Sequence, residues 1–198
     1  MEPRVLQHRM RSFTYLPVSI ALLALALTPC NTFAQKQHHD PLTEAQVDKI
    51  REAGIDPNER VKLYTGYLGD HVNAVRGLTN RAKSEARARR LDQELQDVST
   101  LMDELGSNLD EYSDRHADMR VALKNLAEQS QHWLSTLRAL AGENGFDLSR
   151  KEAIEAGQDL ADQAQRLLTE QTTYFAAHKD ERGQERAEPN PQGDPQPH

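Results

Sequence analysis

From Leu91 onward the apolar residues recur in alternating steps of four and three: Leu91, Leu95, Val98, Met102, Leu105, Leu109, Tyr112, His116, Met119, Leu123, Leu126, Ser130, Trp133, Leu137 and Leu140. Thirteen of these fifteen positions are apolar or aromatic, and His116 and Ser130 are the exceptions. A period of 3.5 residues held over that distance predicts a helix with a narrow seam and coiled-coil-like packing. Unbroken, Leu91 to Ala141 would form a rod of roughly 75 Å. Gly106-Ser107-Asn108 stands against continuity, because it reads as a C′ glycine followed by an N-cap serine with Asp110 at N3. A break there predicts a four-helix bundle; continuity predicts an elongated hairpin. The period crosses Gly106 without a change of phase, so continuity is expected.

A second stripe, Val61, Tyr64, Leu68, Val75 and Leu78, belongs to a helix beginning at Pro57 and lies one residue out of phase with the first. The chain therefore reverses between residues 79 and 90. Within that interval Asn80 to Arg90 has no large apolar residue and carries five basic residues against one acid, which predicts a solvated turn or an exposed helical extension. Helix starts are marked by Thr43 with Gln46, by Asp56 with Pro57 and Glu59, and by Ser149 with Glu152, each at capping-box spacing. Stops are marked by Gly54, Gly142 and Asn144-Gly145. The last helix, Arg150 to about Ala177, presents a broad apolar face: Ile154, Leu160, Ala161, Ala164, Leu167, Leu168, Tyr174 and Phe175. No proline occurs between Pro57 and Pro189, and no stretch alternates as a strand does. The fold class is all-α: an elongated antiparallel helical bundle with a long coiled-coil-like helix.

The ends of the chain read differently. Arg4, Arg9 and Arg11 precede an apolar run from Leu16 to Leu27 and a Thr32-Phe33-Ala34 cleavage site, the order of a secretory signal peptide. That run is too short to span a bilayer, so no transmembrane segment is expected after signal removal. Residues 1–34 are thus the signal, 35–42 a flexible segment, 43–178 the helical bundle and 179–198 a disordered tail with four prolines. The full chain of 198 residues has a formal charge of −7; losing three arginines and Glu2 with the signal leaves −9. Cys30 lies within the signal, so the mature protein has no thiol for a disulfide, a nucleophile or a zinc ligand. Leu27-Thr28-Pro29-Cys30 resembles a lipoprotein box but has proline where a small residue precedes the lipidated cysteine.

Candidate chemistry is sparse. Asp92, Glu94, Asp97, Asp103, Glu104, Asp110, Glu111, Asp114 and Asp118 crowd the long helix, with Asp110, Asp114 and Asp118 spaced to lie in one row. Like charges at that spacing repel, so the row is either a solvated face or a surface covered by basic residues such as Arg81 to Arg90 of the same or another chain. His116 sits in the seam and is expected to be a hydrogen-bonded core residue. His38 and His39 lie near the mature terminus, where cleavage one residue past Ala34 would create a Lys-Gln-His copper or nickel site. No Glu-x-x-His pair, phosphate loop, nucleophile elbow, His-Glu-x-x-His motif or calcium loop is present. No catalytic, cofactor-binding or metal residue is assigned, and an enzyme is not expected. Overall acidity and the lack of aromatics among Arg81 to Arg90 argue against nucleic acid.

Leu42-Thr43-Glu44-Ala45-Gln46 resembles the Leu-Thr-x-x-Gln motif of Spy and CpxP-type periplasmic chaperones, which implies a small exported helical protein. That family carries the motif twice and this chain once. The stretches DPLTEAQVDKIREAGIDPNERVKLYTGYL and MDELGSNLDEYSDRHADMRVALKNL resemble a family of uncharacterised exported bacterial all-helical proteins, which implies no activity. The expectation is a periplasmic or secreted, non-enzymatic helical bundle that makes protein contacts in the cell envelope, with residual seam positions favouring a homodimer. The alternative is a periplasmic ATP-independent holdase for unfolded clients.

Overall fold

The computed structural model describes residues 39–181; the segment 1–34 expected to be a signal peptide, Cys30, His38 and the chain beyond residue 181 lie outside the described residues. Five α-helices follow one another, and no strand occurs among the described residues: α1 (Glu44–Glu52), α2 (Pro57–Thr79), α3 (Glu85–Asp114), α4 (Arg120–Ala139) and α5 (Asp147–Ala177). A 3₁₀ turn, Lys179–Glu181, follows within the segment expected to be disordered.

Two of the three expected caps are observed. The Thr43 side chain accepts from the Gln46 amide while Gln46 Oε1 accepts from the Thr43 amide, and Asp56 accepts from the amides of Asn58 and Glu59. Each pairing satisfies donors that a helix start leaves orphaned. Gly54 ends α1 with φ +62, a left-handed conformation in which a side chain would be strained. The third cap is corrected. α5 begins at Asp147, two residues before Ser149, which lies buried inside the helix and donates to Asp92 Oδ1. The basic interval divides between its two expected forms: residues 80–84 make the turn, and Ser84 caps α3 by accepting from the Arg87 amide, so that 85–90 are the helical extension, exposed except near the buried Arg87.

The continuous helix from Leu91 to Ala141 is the largest correction. α3 runs through Gly106 as the phase implied, but it ends at Asp114, and the chain turns over residues 115–119 before α4 begins. His116, expected in the core, is exposed and occupies the left-handed region at φ 54. The turn is held from outside. Gln171 of α5 accepts from the Met119 amide and donates to the Ala117 carbonyl, while Asn58 of α2 donates to the Asp118 carbonyl and accepts from the Ala122 amide.

α2, α3, α4 and α5 pack as a four-helix bundle. α2 and α5 each lie against both α3 and α4, and no Cα pair within 8 Å links α3 to α4 or α2 to α5 among the described residues. Contacts such as Tyr64 with Glu104 set α2 antiparallel to α3, and Asn58 with Ala122 sets it parallel to α4. The 115–119 turn therefore crosses the bundle diagonally. Fourteen of the fifteen seam positions, all but His116, are buried in this core together with Val61, Tyr64, Leu68, Val75 and Leu78 of α2. α1 packs on α2, and Leu42, placed by sequence in a flexible segment, is buried against the same core. Among the described residues no helix is long and apolar enough to cross a membrane.

Candidate functional site

The end of the bundle where α2 hands over to α3 carries an open cavity of about 680 Å³. Its construction begins with helix ends. α2 stops at Thr79, whose hydroxyl donates to the Arg76 carbonyl, and α4 stops at Ala139, so two carboxyl-terminal dipoles meet there with Arg76 and Arg138 in their last turns. Arg76, Arg81, Lys83 and Arg87 line the cavity with a single carboxylate, Glu143. Ala82, Ala139, Leu140 and Ala141 supply an apolar portion, and Thr79, Ser135 and Thr136 supply hydroxyls.

Glu143 organises the wall. Its backbone carbonyl accepts from the amides of Phe146 and Asp147 as α5 begins, and its carboxylate accepts from Arg87 Nη2 at 2.7 Å and pairs with Lys83 Nζ at 3.2 Å. Desolvation works against that carboxylate, but Lys83 and Arg87 outweigh it and hold its pKa below the ordinary value. Arg87 is only 7% exposed, and its Nε is buried without an acceptor. A buried guanidinium with an unfilled donor is costly unless a further acceptor reaches it. Arg76 Nη2 donates to Thr136 Oγ1 and so joins α2 to α4 across the cavity. Arg81 is exposed.

The acidic row does not survive the turn. Asp110 and Asp114 remain on α3, but Asp118 lies beyond its end and pairs with Arg120 at 2.6 Å. Several of the other acids find partners: Glu94 with Arg90, Glu111 with Arg115, and Asp110 with Gln163 of α5. Arg87 and Asp110 are separated by about 35 Å of helix at 1.5 Å per residue. The basic stretch therefore cannot cover Asp110 or Asp114 within one chain.

Among the described residues one group has metal-ligand chemistry. His71, Glu94 and Asp97 bring one ligand atom each to within 4.8 Å of one another. His71 Nδ1 lies 2.9 Å from Glu94 Oε2 and its Nε2 lies 3.1 Å from the Pro41 carbonyl. Asp97 accepts from Gln93 Nε2, and the two His71 contacts tie the segment before α1, α2 and α3 together. His116 stacks on Tyr174 with ring centroids 4.8 Å apart, and His178 stacks on the same ring at 4.2 Å. His39 is exposed.

Sequence reasoning found the basic stretch but not the groove. Its far wall comes from Ser135 to Glu143, residues distant in sequence and ordinary in composition. No family model, curated protein or solved structure matches the chain.

Proposed function

We propose that the mature chain is an exported, non-enzymatic helical-bundle protein that acts through protein contacts in the cell envelope, and that the cationic groove beside α2, α3 and α4 is the face it presents. The supporting observation is the closure of the seam within one chain. With the heptad residues buried internally, hydrophobic pairing with a second copy loses its motive, and recognition falls to charge and shape at the surface. Among the described residues the exposed large apolar side chains are Ile55, Val121 and Leu148, a sparse set for a holdase that captures unfolded chains.

The test is site-specific photocrosslinking in the native envelope. A crosslinker at Ala141, on the groove wall, is expected to yield discrete protein adducts that the Arg81→Glu/Lys83→Glu variant abolishes. One at Gly66, on the outer face of α2, is expected to yield none. Absence of adducts from Ala141, in cells where the protein is exported and folded, would overturn the reading. Suppression of client aggregation in light scattering, unaffected by the groove variant, would favour the holdase instead.

A further inference from the structure

Building on that reading, we infer that the groove takes a carboxylate-rich peptide segment of a partner protein. The first ground is charge. Four cations face one carboxylate in the groove, inside a chain whose mature charge is −9, so this end is an exception to the field of the whole molecule. The second is Arg87, which lines the groove with its Nη2 engaged by Glu143. A guanidinium offers five donors in a planar fork that matches carboxylates bidentately, and Glu143 fills part of that fork. The Lys83–Glu143–Arg87 arrangement shows within the chain itself how a carboxylate is seated here.

Three features favour a peptide over other anions. The wall formed by Ala82, Ala139, Leu140 and Ala141 would be unused by a bare phosphate, whereas a peptide brings apolar atoms as well as charge. The carboxyl-terminal ends of α2 and α4 disfavour a compact multivalent anion, while carboxylates spread along a chain can each meet one cation. A lipid surface needs a face of several apolar side chains beside the basic ones, and among the described residues Leu148 alone is an exposed large apolar side chain at the neighbouring start of α5. The volume of about 680 Å³ lies within the range of sites that hold small ligands or short chain segments.

The experiment uses the mature protein and a fluorescein-labelled nonapeptide of alternating Asp, Glu, Ala and Leu, followed by anisotropy at low and high salt. Saturable binding is expected, weakened at least tenfold by Arg81→Glu/Lys83→Glu and left unchanged by Arg115→Glu at the other end of α3. Two further arms use pyrophosphate and phosphatidylglycerol vesicles. Tighter binding of either, with the same dependence on Arg81 and Lys83, would overturn the peptide in favour of phosphate chemistry. No peptide binding up to millimolar concentration, or equal loss in the Arg115 variant, would overturn it outright. Neither failure touches the envelope-contact reading, which stands or falls on the crosslinks from Ala141.

Discussion

Gly106 and His116 lie ten residues apart on one apolar period, and the chain treats them in opposite ways. Around Gly106 the sequence carries a helix stop and a helix start, yet α3 passes through as one continuous α-helix. Around His116 there is neither glycine nor proline, yet the chain leaves the helix, enters the left-handed region and crosses the bundle. The difference lies in what other helices offer. At Gly106 the missing side chain lets Gln163 of α5 approach so closely that an added Cβ would stand 3.0 Å from its Oε1, and Gln163 donates to the Gly106 carbonyl. At the turn, Asn58 and Gln171 supply the hydrogen bonds that the backbone gives up on leaving the helix. Local signals propose where a helix ends, and distant amides decide it.

The strongest way to break this comparison is Gly106→Pro. Proline in a helix interior removes one backbone bond and clashes with the preceding turn, at a cost of about 3 kcal/mol or more. Urea denaturation is expected to show that loss; a change under about 1 kcal/mol would mean that residue 106 sits in a turn. Gln171→Leu comes next. It strands the buried Met119 amide and the Ala117 carbonyl, and at about 1–3 kcal/mol for each buried group left without a partner the loss is about 3 kcal/mol. An unchanged denaturation midpoint would show that the clamp does not hold the turn.

Much of the fold was legible because it rests on local rules. The Thr43 and Asp56 caps, the Gly54 stop, the stripe from Val61 to Leu78 and the phase through Gly106 all follow from helix geometry, and all are found in the structure. The 115–119 turn was hidden because Tyr112 and Met119 are seven residues apart, so the period continues across a reversal that it does not describe. A polar residue at a seam position, His116, was the one local sign. Ser149 with Glu152 imitates a capping box, but Ser149 spends its hydroxyl on Asp92 across the α3 interface. The groove was legible on one side only, because Arg81 to Arg87 are contiguous whereas Glu143 and Thr136 reach them through tertiary packing.

Substitutions at His116 sharpen the comparison at smaller scale. A left-handed backbone costs an L-residue about 1–2 kcal/mol, least for small polar residues and histidine and most for β-branched ones. His116→Val is therefore expected to destabilise by about 1–2 kcal/mol. His116→Gly relieves the backbone but loses the stacking on Tyr174, and the two are expected to cancel within about 1 kcal/mol. Equal loss in both variants would assign the effect to the ring rather than to the backbone.

The smallest effect concerns the acids that crowd α3 near Gly106. Asp103 has its pKa raised, first by burial and then by the charge of Asp159 on α5. A carboxyl whose folded pKa lies above its unfolded value opposes folding at neutral pH. The penalty disappears as pH falls through the ordinary carboxylate range near 4, because both states are then protonated. Asp103→Asn is expected to stabilise the fold at pH 7 by less than about 1 kcal/mol, on the scale of exposed charge pairs, seen as a higher thermal midpoint, and to match the parent at pH 3. Glu111 offers the contrast, since it is already paired with Arg115 on its own helix, and Glu111→Gln should not raise the midpoint at either pH. A lower midpoint for Asp103→Asn at pH 7 would mean that this carboxylate is held by a cation, and that the acidic face of α3 is neutralised near Gly106 as fully as it is beside the turn.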